Sequence, residues 1–428
     1  PPPPPTPPRL DSSAASDVYK RQGTIPSKAL REAAYVTSRS ASLGMRRTIQ
    51  TRAVSEPGFL FDALSQKDRV VDRKESQLLE RLMKGGVTLI PGEASFVDSH
   101  TLRVTGPRSD HRQLSAAYIV LATGSRPRRP ASVPFDKERV LDSTSLLKIR
   151  RLPASLIVVG GGVIACEFAT IFASLGSQVT LIDSHAQLLA YLDADIVARL
   201  AEDFNDMNIS LRMNTRVSQV ERSEESVSVA TDQGDKLQAD ALLYALGREP
   251  NYDLLELGEA GLVADDQGWV RINENQQTSQ SHIYIVGDLA GHPSLASTAM
   301  EQGRMAIRHA FQEEVRESAG ILPMAIYTIP ELSYVGETER ELQAREADYV
   351  KGYASYADTA RGQIIGNEHG LLKLLVERQS RSILGVHIIG ESASELVHVG
   401  QMAMTCNSTV DILAATVFNY PTLAQCYK

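Results

Sequence analysis

Gly160-Gly161-Gly162-Val163-Ile164-Ala165 fits the spacing G-x-G-x-x-G/A, and Asp183 follows. Such a turn holds a pyrophosphate. Gly160 permits the sharp bend, Gly162 lets phosphate reach the backbone at a helix N-terminus, and Ala165 keeps helix and sheet close. Asp183 stands where an acid binds the adenosine ribose 2′-hydroxyl; it would repel a 2′-phosphate. No arginine pair follows it in Ser184–Leu189, so this subsite leans to NAD(H) over NADP(H). A glycine turn of some other α/β protein is the alternative. Two more small-residue turns, Ala122-Thr123-Gly124-Ser125-Arg126-Pro127 and Ile285-Val286-Gly287-Asp288, each fit an ordinary strand exit equally well.

The elements that must position these turns are legible. Leu156–Val159 reads as a strand, and Gly160–Gly162 turns it into a helix with Ile164, Phe168, Ile171 and Leu175 at helical spacing. Gly176 stops that helix, and Val179–Ile182 is the next strand, completing a βαβ unit of a parallel, doubly wound sheet. Ala116–Ala122, Ile209–Met213, Val227–Thr231, Ala241–Ala245 and Ile283–Val286 are further strands. From about Pro323 the texture changes. Ala325–Thr328, Leu332–Val335, Leu371–Val376 and Ile383–Ile389 suggest an antiparallel sheet, followed by helices at Ser392–Met404 and Asp411–Thr416.

The chain of 428 residues is too long for one ordinary core. With 43% hydrophobic and 22% charged residues it is globular. A net charge of -8 gives no reason to expect nucleic acid or an anionic membrane as partner. Cys166, Cys406 and Cys426 have neither disulfide-framework nor zinc spacing, so they read as reduced thiols of a cytoplasmic protein, with no metal site. The apolar run Leu156–Leu175 contains three glycines and Glu167, which excludes a spanning helix.

Taken together, the turns before and after the dinucleotide unit resemble those of the flavoprotein reductases that carry two dinucleotide-binding domains. Gly23-Thr24-Ile25-Pro26-Ser27-Lys28 sharpens the match. In the dithiol members of that superfamily this stretch closes a C-x-x-x-x-C pair, but here Thr24 replaces the flavin-facing cysteine. Near the end, Phe418-Asn419-Tyr420-Pro421-Thr422-Leu423-Ala424-Gln425 replaces H-P-T-x-x-E, with Tyr420 for the His and Gln425 for the Glu. A threonine forms no disulfide, and a tyrosine with a pKa near ~10 is a poor base at neutral pH. The chain resembles, from Gly23 to Lys428, the soluble pyridine nucleotide transhydrogenases of the class I pyridine nucleotide-disulfide oxidoreductase family. Gln425 departs from that group too, where a Glu is usual.

The resemblance implies an α/β fold with two Rossmann-like domains, for FAD and for NAD(P), plus a C-terminal α+β dimerisation domain. The expected boundaries are 23–150 for the FAD domain, 151–270 for the inserted NAD(P) domain, 271–322 for the return to the FAD domain and 323–428 for the interface. It implies FAD, NAD and NADP as cofactors and a homodimer or higher homo-oligomer. Hydride would pass from NADPH to flavin N5 and on to NAD⁺ without a dithiol, the reacting atoms held about ~3–3.5 Å apart. It carries Lys28 over to flavin N5, with Glu167 as its partner; a surface Lys and a solvated helix Glu are the alternative. Tyr420 is either catalytic or a packed interface aromatic. Asp288 falls on the ribityl chain, and Thr24, Ser27, Thr123, Gly124, Gly247, Gly287, Leu295 and Ala296 join the cofactor-binding set. Leu295 and Ala296 open a helix expected beneath the flavin ring.

Residues 1–22, a proline run followed by a Ser/Ala-rich stretch, read as a leader foreign to the rest or a native disordered tail. The family's first strand–G-x-G-x-x-G–helix segment and its last helix are then expected to be absent. One buried strand is worth roughly 6–12 kcal/mol, against ~5–15 for a whole domain, so weak FAD binding is expected. Two other functions compete with transhydrogenation: an NAD(P)H dehydrogenase or diaphorase, and a cofactor-free interaction or decay product.

Overall fold

The computed structural model describes residues 23–40, 57–266, 268–313 and 320–428. Residues 1–22, read above as a leader, lie outside the described residues. The described chain divides into two compact units and crosses between them several times: the described residues within 23–27, 65–128 and 247–316 form one, and those within 28–64, 129–246 and 317–428 the other.

The larger unit is built on Ser155–Val159, whose last four residues are apolar and all buried, as a strand covered on both faces must be. Parallel neighbours extend it into five strands in the order Val140–Leu141, Ala241–Tyr244, Ser155–Val159, Gln178–Ile182, Ser210–Arg212. The crossover helix Val163–Leu175 is buried from Ala165 to Leu175 and ends at Gly176 in the left-handed region (φ 104°), a glycine stop. A three-stranded antiparallel layer, Val217–Arg222, Val227–Thr231 and Lys236–Ala239, follows. After residue 320 the chain builds a five-stranded antiparallel sheet, ordered Met324–Ile326, Leu332–Gly336, Ile383–Ile389, Leu371–Glu377, Tyr349–Ser355. Leu30 and Ala34 of helix Ile25–Ser40 join Phe168, Phe172, Ile326 and Ile389 in one core.

In the smaller unit Ile119–Leu121 pairs in parallel with Ile283–Ile285. Period-two alternation divides the second strand between two cores. Ile283 and Ile285 face Phe96, Leu255 and Leu262, while Tyr284 packs with Ala306 and Ala310 of helix Ala296–Ala310. A meander of Glu93–Asp98, Thr101–Thr105 and His111–Ser115 completes it.

The expected domain boundaries shift. Val140–Leu141 pairs with Ala241–Tyr244, so the nucleotide unit takes in residues from 129 rather than 151. Residues 247–270 leave it, because Arg248–Pro250 pairs with Ser125–Pro127 and Leu255 packs against Phe96. The reason is local: the apolar run ends at Leu246, and Gly247 (φ 95°) follows it as a turn that favours glycine.

Candidate functional site

Gly160 has φ 121°, and a Cβ on it would lie 2.9 Å from the carbonyl oxygen of Ala245. Both the backbone angle and the space require glycine there. Gly162 caps helix Val163–Leu175 without a side-chain hydrogen bond, and a Cβ on it would meet nothing within 4 Å. That leaves free space beside Gly162 at the helix N-terminus, where a pyrophosphate fits. Ala165, in the first turn of that helix, is fully buried.

Asp183 is 6% exposed, and its Oδ1 accepts from the backbone N–H of His185 at 2.7 Å and lies 2.6 Å from His185 Nδ1. Sequence reasoning missed His185, although its place two residues beyond the strand-end acid was the available signal. The carboxylate also lies 3.1 Å from where a Gly161 Cβ would be, so the middle glycine makes room for the acid.

Lys28 stands in the first turns of helix Ile25–Ser40, and Glu167 in the second turn of Val163–Leu175. Lys28 Nζ donates to both oxygens of Glu167, at 2.8 and 2.7 Å. Glu167 Oε1 also accepts from the backbone N–H of Tyr327 at 2.9 Å. Glu167 is 4% exposed, so the picture of a solvated helix glutamate does not describe it. The Lys28 ammonium sits 4.8 Å from the centre of the Tyr327 ring, where an aromatic face attracts a cation. Burial, aided by the carboxylates of Glu331 and Glu167, raises the Tyr327 phenol above its ordinary value, keeping it protonated. Arg31, one turn beyond Lys28, donates to the carbonyl of Thr328 and pairs with Glu331 at 3.4 Å. Thr170 Oγ1 accepts from the Ile329 N–H at 3.2 Å. The stretch Tyr327-Thr328-Ile329-Pro330-Glu331 is therefore fastened to both helices.

In the smaller unit, Asp288 Oδ2 accepts from Ser125 Oγ at 2.7 Å, with Arg248 Nε at 3.9 Å. Burial pushes the Asp288 carboxyl up, against the pull of Ser125 and Arg248. Arg248 in turn donates to Ser125 Oγ and to its carbonyl, at 2.8 and 2.7 Å. Ser125 and Arg248 lay outside the expected set. Thr123 Oγ1 donates to the carbonyl of Asn251 at 2.8 Å, so this hydroxyl fastens the strand end. Gly124 and Gly287 have φ 68° and 70°, and Gly287 N–H donates to Gln302 at 2.8 Å. Leu295 precedes helix Ala296–Ala310 as an extended residue with no side-chain cap. Ser27 Oγ donates to the carbonyl of Thr24 at 3.2 Å, and Gly247 forms the turn described above. Tyr420 is 74% exposed and takes no part in the contacts of Lys28 and Glu167. Cys166, Cys406 and Cys426 are free.

The family model of the pyridine nucleotide-disulphide oxidoreductases matches residues 15–303, and that of their dimerisation domain matches 322–428. The chain belongs to this family. Curated relatives include the soluble pyridine nucleotide transhydrogenases of Mycobacterium tuberculosis (strain ATCC 25177 / H37Ra), 40% identical over 95% of this chain and 86% of the relative, and of Pectobacterium atrosepticum, 39% identical over 95% and 87%. Among solved structures, the HOCl-induced flavoprotein disulfide reductase RclA from Escherichia coli superposes with TM-score 0.85 at 26% identity, covering 96% of this chain and 89% of that one. LpdA from Mycobacterium tuberculosis matches with TM-score 0.85 at 27% identity and the same coverage. No described helix is long and apolar enough to cross a membrane.

Proposed function

We propose that this family member is a soluble NAD(P)⁺ transhydrogenase, moving hydride from NADPH to NAD⁺ in the cytoplasm as a homodimer. A bound FAD supplies the relay that accepts and returns the hydride. The turn Gly160–Gly162 holds a dinucleotide pyrophosphate against the helix N-terminus. Asp183, steadied by His185, takes the adenosine ribose and favours NAD(H). Asp288, steadied by Ser125 and Arg248, takes the ribityl chain. Lys28 supplies positive charge at the reacting ring, and Glu167 holds its ammonium in one place. Tyr420, exposed on the 322–428 portion, is the side chain we assign to the site from the interface side.

One observation carries this reading. The chain keeps the Lys28–Glu167 pair at 2.7 Å while position 24 is a threonine, which forms neither a disulfide nor a flavin adduct. Positioning and charge are retained, and sulfur chemistry is not. The test is transfer from NADPH to thio-NAD⁺ with no other acceptor. Activity only with an added quinone or dye, or efficient reduction of lipoamide or oxidised glutathione, overturns the reading. Lys28→Met is expected to slow flavin reduction in stopped flow far more than it weakens NADPH binding.

A further inference from the structure

The loop that follows Asp183 returns to the glycine turn before helix Ala194–Asp206 begins. Leu189 N–H donates to the carbonyl of Gly161 at 3.0 Å, and the Cys166 thiol donates to the same oxygen at 3.6 Å. Leu189 holds φ 44°, in the left-handed region that a leucine rarely enters. Its side chain is 2% exposed and sits in the core with Leu188 and Leu192. A glycine would take that angle freely but leave the core unfilled. Backbone strain of this kind persists where the surroundings over-determine a residue, and it gathers at ligand clamps.

What the strained residue holds is one peptide plane. The Gly161 carbonyl and the Gly162 N–H belong to the same planar trans unit and point in opposite directions. Tying the carbonyl to Leu189 therefore aims the Gly162 N–H out of the other side of the turn.

The loop is fastened in its own right by the segment after strand Leu332–Gly336. There Thr338 and Glu341 form a capping box at the start of helix Glu339–Ala344, which fixes that helix at its root. Glu339 N–H donates to Asp193 Oδ2 at 3.4 Å, at the end of the loop. Arg340 Nη1 donates to the carbonyl of Ala190, the residue next to Leu189, at 2.7 Å. A charged donor makes this a stronger bond than a neutral one would.

We propose that Arg340 is a positioning residue for the coenzyme. By holding Ala190 it keeps Leu189 on Gly161, and so keeps the Gly162 N–H aimed at the dinucleotide pyrophosphate. The inference rests on the reading that this turn holds a dinucleotide, and it adds to that site a residue from the antiparallel-sheet portion of the chain. Arg340 acts through the loop, not by contact with the coenzyme.

NADH and ADP-ribose share the pyrophosphate. Both are titrated by calorimetry into the full chain and into its Arg340→Ala and Arg340→Lys variants. Arg340→Ala is expected to weaken both ligands by about three- to tenfold, the worth of one hydrogen bond from a charged group. Arg340→Lys keeps a donor and is expected to recover part of that loss. Arg340 is exposed, so Arg340→Ala should melt within about 2 °C of the parent. For transfer from NADPH to thio-NAD⁺, kcat at saturating coenzyme should stay within about twofold while KM rises. A fall in kcat with KM unchanged overturns the inference. A parent chain that binds neither ligand overturns the reading of the turn as well. Tight binding by the parent that Arg340→Ala leaves unchanged overturns this inference alone.

Discussion

Replacing Lys373 with methionine keeps most of the side-chain volume and removes one buried charge. Lys373 is fully buried in strand Leu371–Glu377. Its Nζ donates to both oxygens of Asp193 at 2.8 and 2.9 Å, to Asp195 at 2.7 Å and to Glu339 at 2.5 Å. At such distances each attraction is roughly 6 kcal/mol at an effective dielectric of 20. Most of that offsets the cost of taking the ions out of water. Removing one partner of a buried pair leaves about 3–5 kcal/mol of net destabilisation. The upper end is expected here, because three carboxylates are left facing one another. At ~2–4 °C per kcal/mol for a unit of this size, the melting temperature should fall by about 6–20 °C. The loss should also carry a signature in pH. Burial works to raise the Asp195 and Glu339 carboxyls, but hydrogen bonds from Lys373 outweigh it and hold both below the usual range. Carboxyls depressed in the folded state add stability above the unfolded pKa of ~4, and lose it as pH falls through the folded value. Without Lys373, burial of the two carboxyls is opposed only by Tyr353, Tyr349 and Lys351, so both should titrate higher in the variant than in the parent, and the gap between variant and parent should narrow as pH falls from 7 toward ~4. Melts followed by circular dichroism across that range provide the test. A variant melting within about 2 °C of the parent at every pH would refute the reasoning.

Gly160→Ala should weaken NADH binding by about tenfold or more, since a Cβ at φ 121° meets the Ala245 carbonyl. Isothermal titration with NADH measures this, and FAD content should be unchanged. Glu167→Gln leaves the Lys28 ammonium without its carboxylate; stopped flow should show flavin reduction slowed about 10–100-fold, with a smaller change in NADPH affinity. Equal losses in both would make Glu167 a binding residue only. Asp183→Ala removes the carboxylate that opposes a 2′-phosphate and frees His185. Discrimination between NADH and NADPH, read as the ratio of kcat/KM values, should relax by about 1–2 kcal/mol, or five- to thirtyfold.

The glycine turn at 160–162, proposed to hold a dinucleotide, was legible because its requirements are local. Gly160 needs its angle, Gly162 its space and Ala165 its closeness to the sheet, and all three fall within one strand–turn–helix. The strands around it were legible for a similar reason: buried on both faces, they read as unbroken apolar runs. The meander Glu93–Ser115 was not, since it is exposed along much of its length and its side chains barely alternate. Helix Pro57–Lys84 escaped, although Gly85 and Gly86 follow it directly, for want of a clean apolar stripe among its many charges. Lys28 and Glu167 are 139 residues apart, and only resemblance to known proteins could pair them. Nothing in sequence distance joins Lys373 to Asp193 or Arg340 to Ala190. Those contacts exist only once the antiparallel sheet and the nucleotide unit have formed.

The fastening of Tyr327–Ile329 to the crossover helix has a mechanical consequence. Glu167 grips the Tyr327 amide, Thr170 grips that of Ile329, and the same helix opens at Gly162. Sliding the helix by a single residue would break both anchors as well as the tie to Lys28. The proposed coenzyme cradle and the holder of the Lys28 ammonium are thus cut from one rod, clamped along its flank. If the turn holds a coenzyme as proposed, that coenzyme is registered against a helix whose position three separate contacts fix.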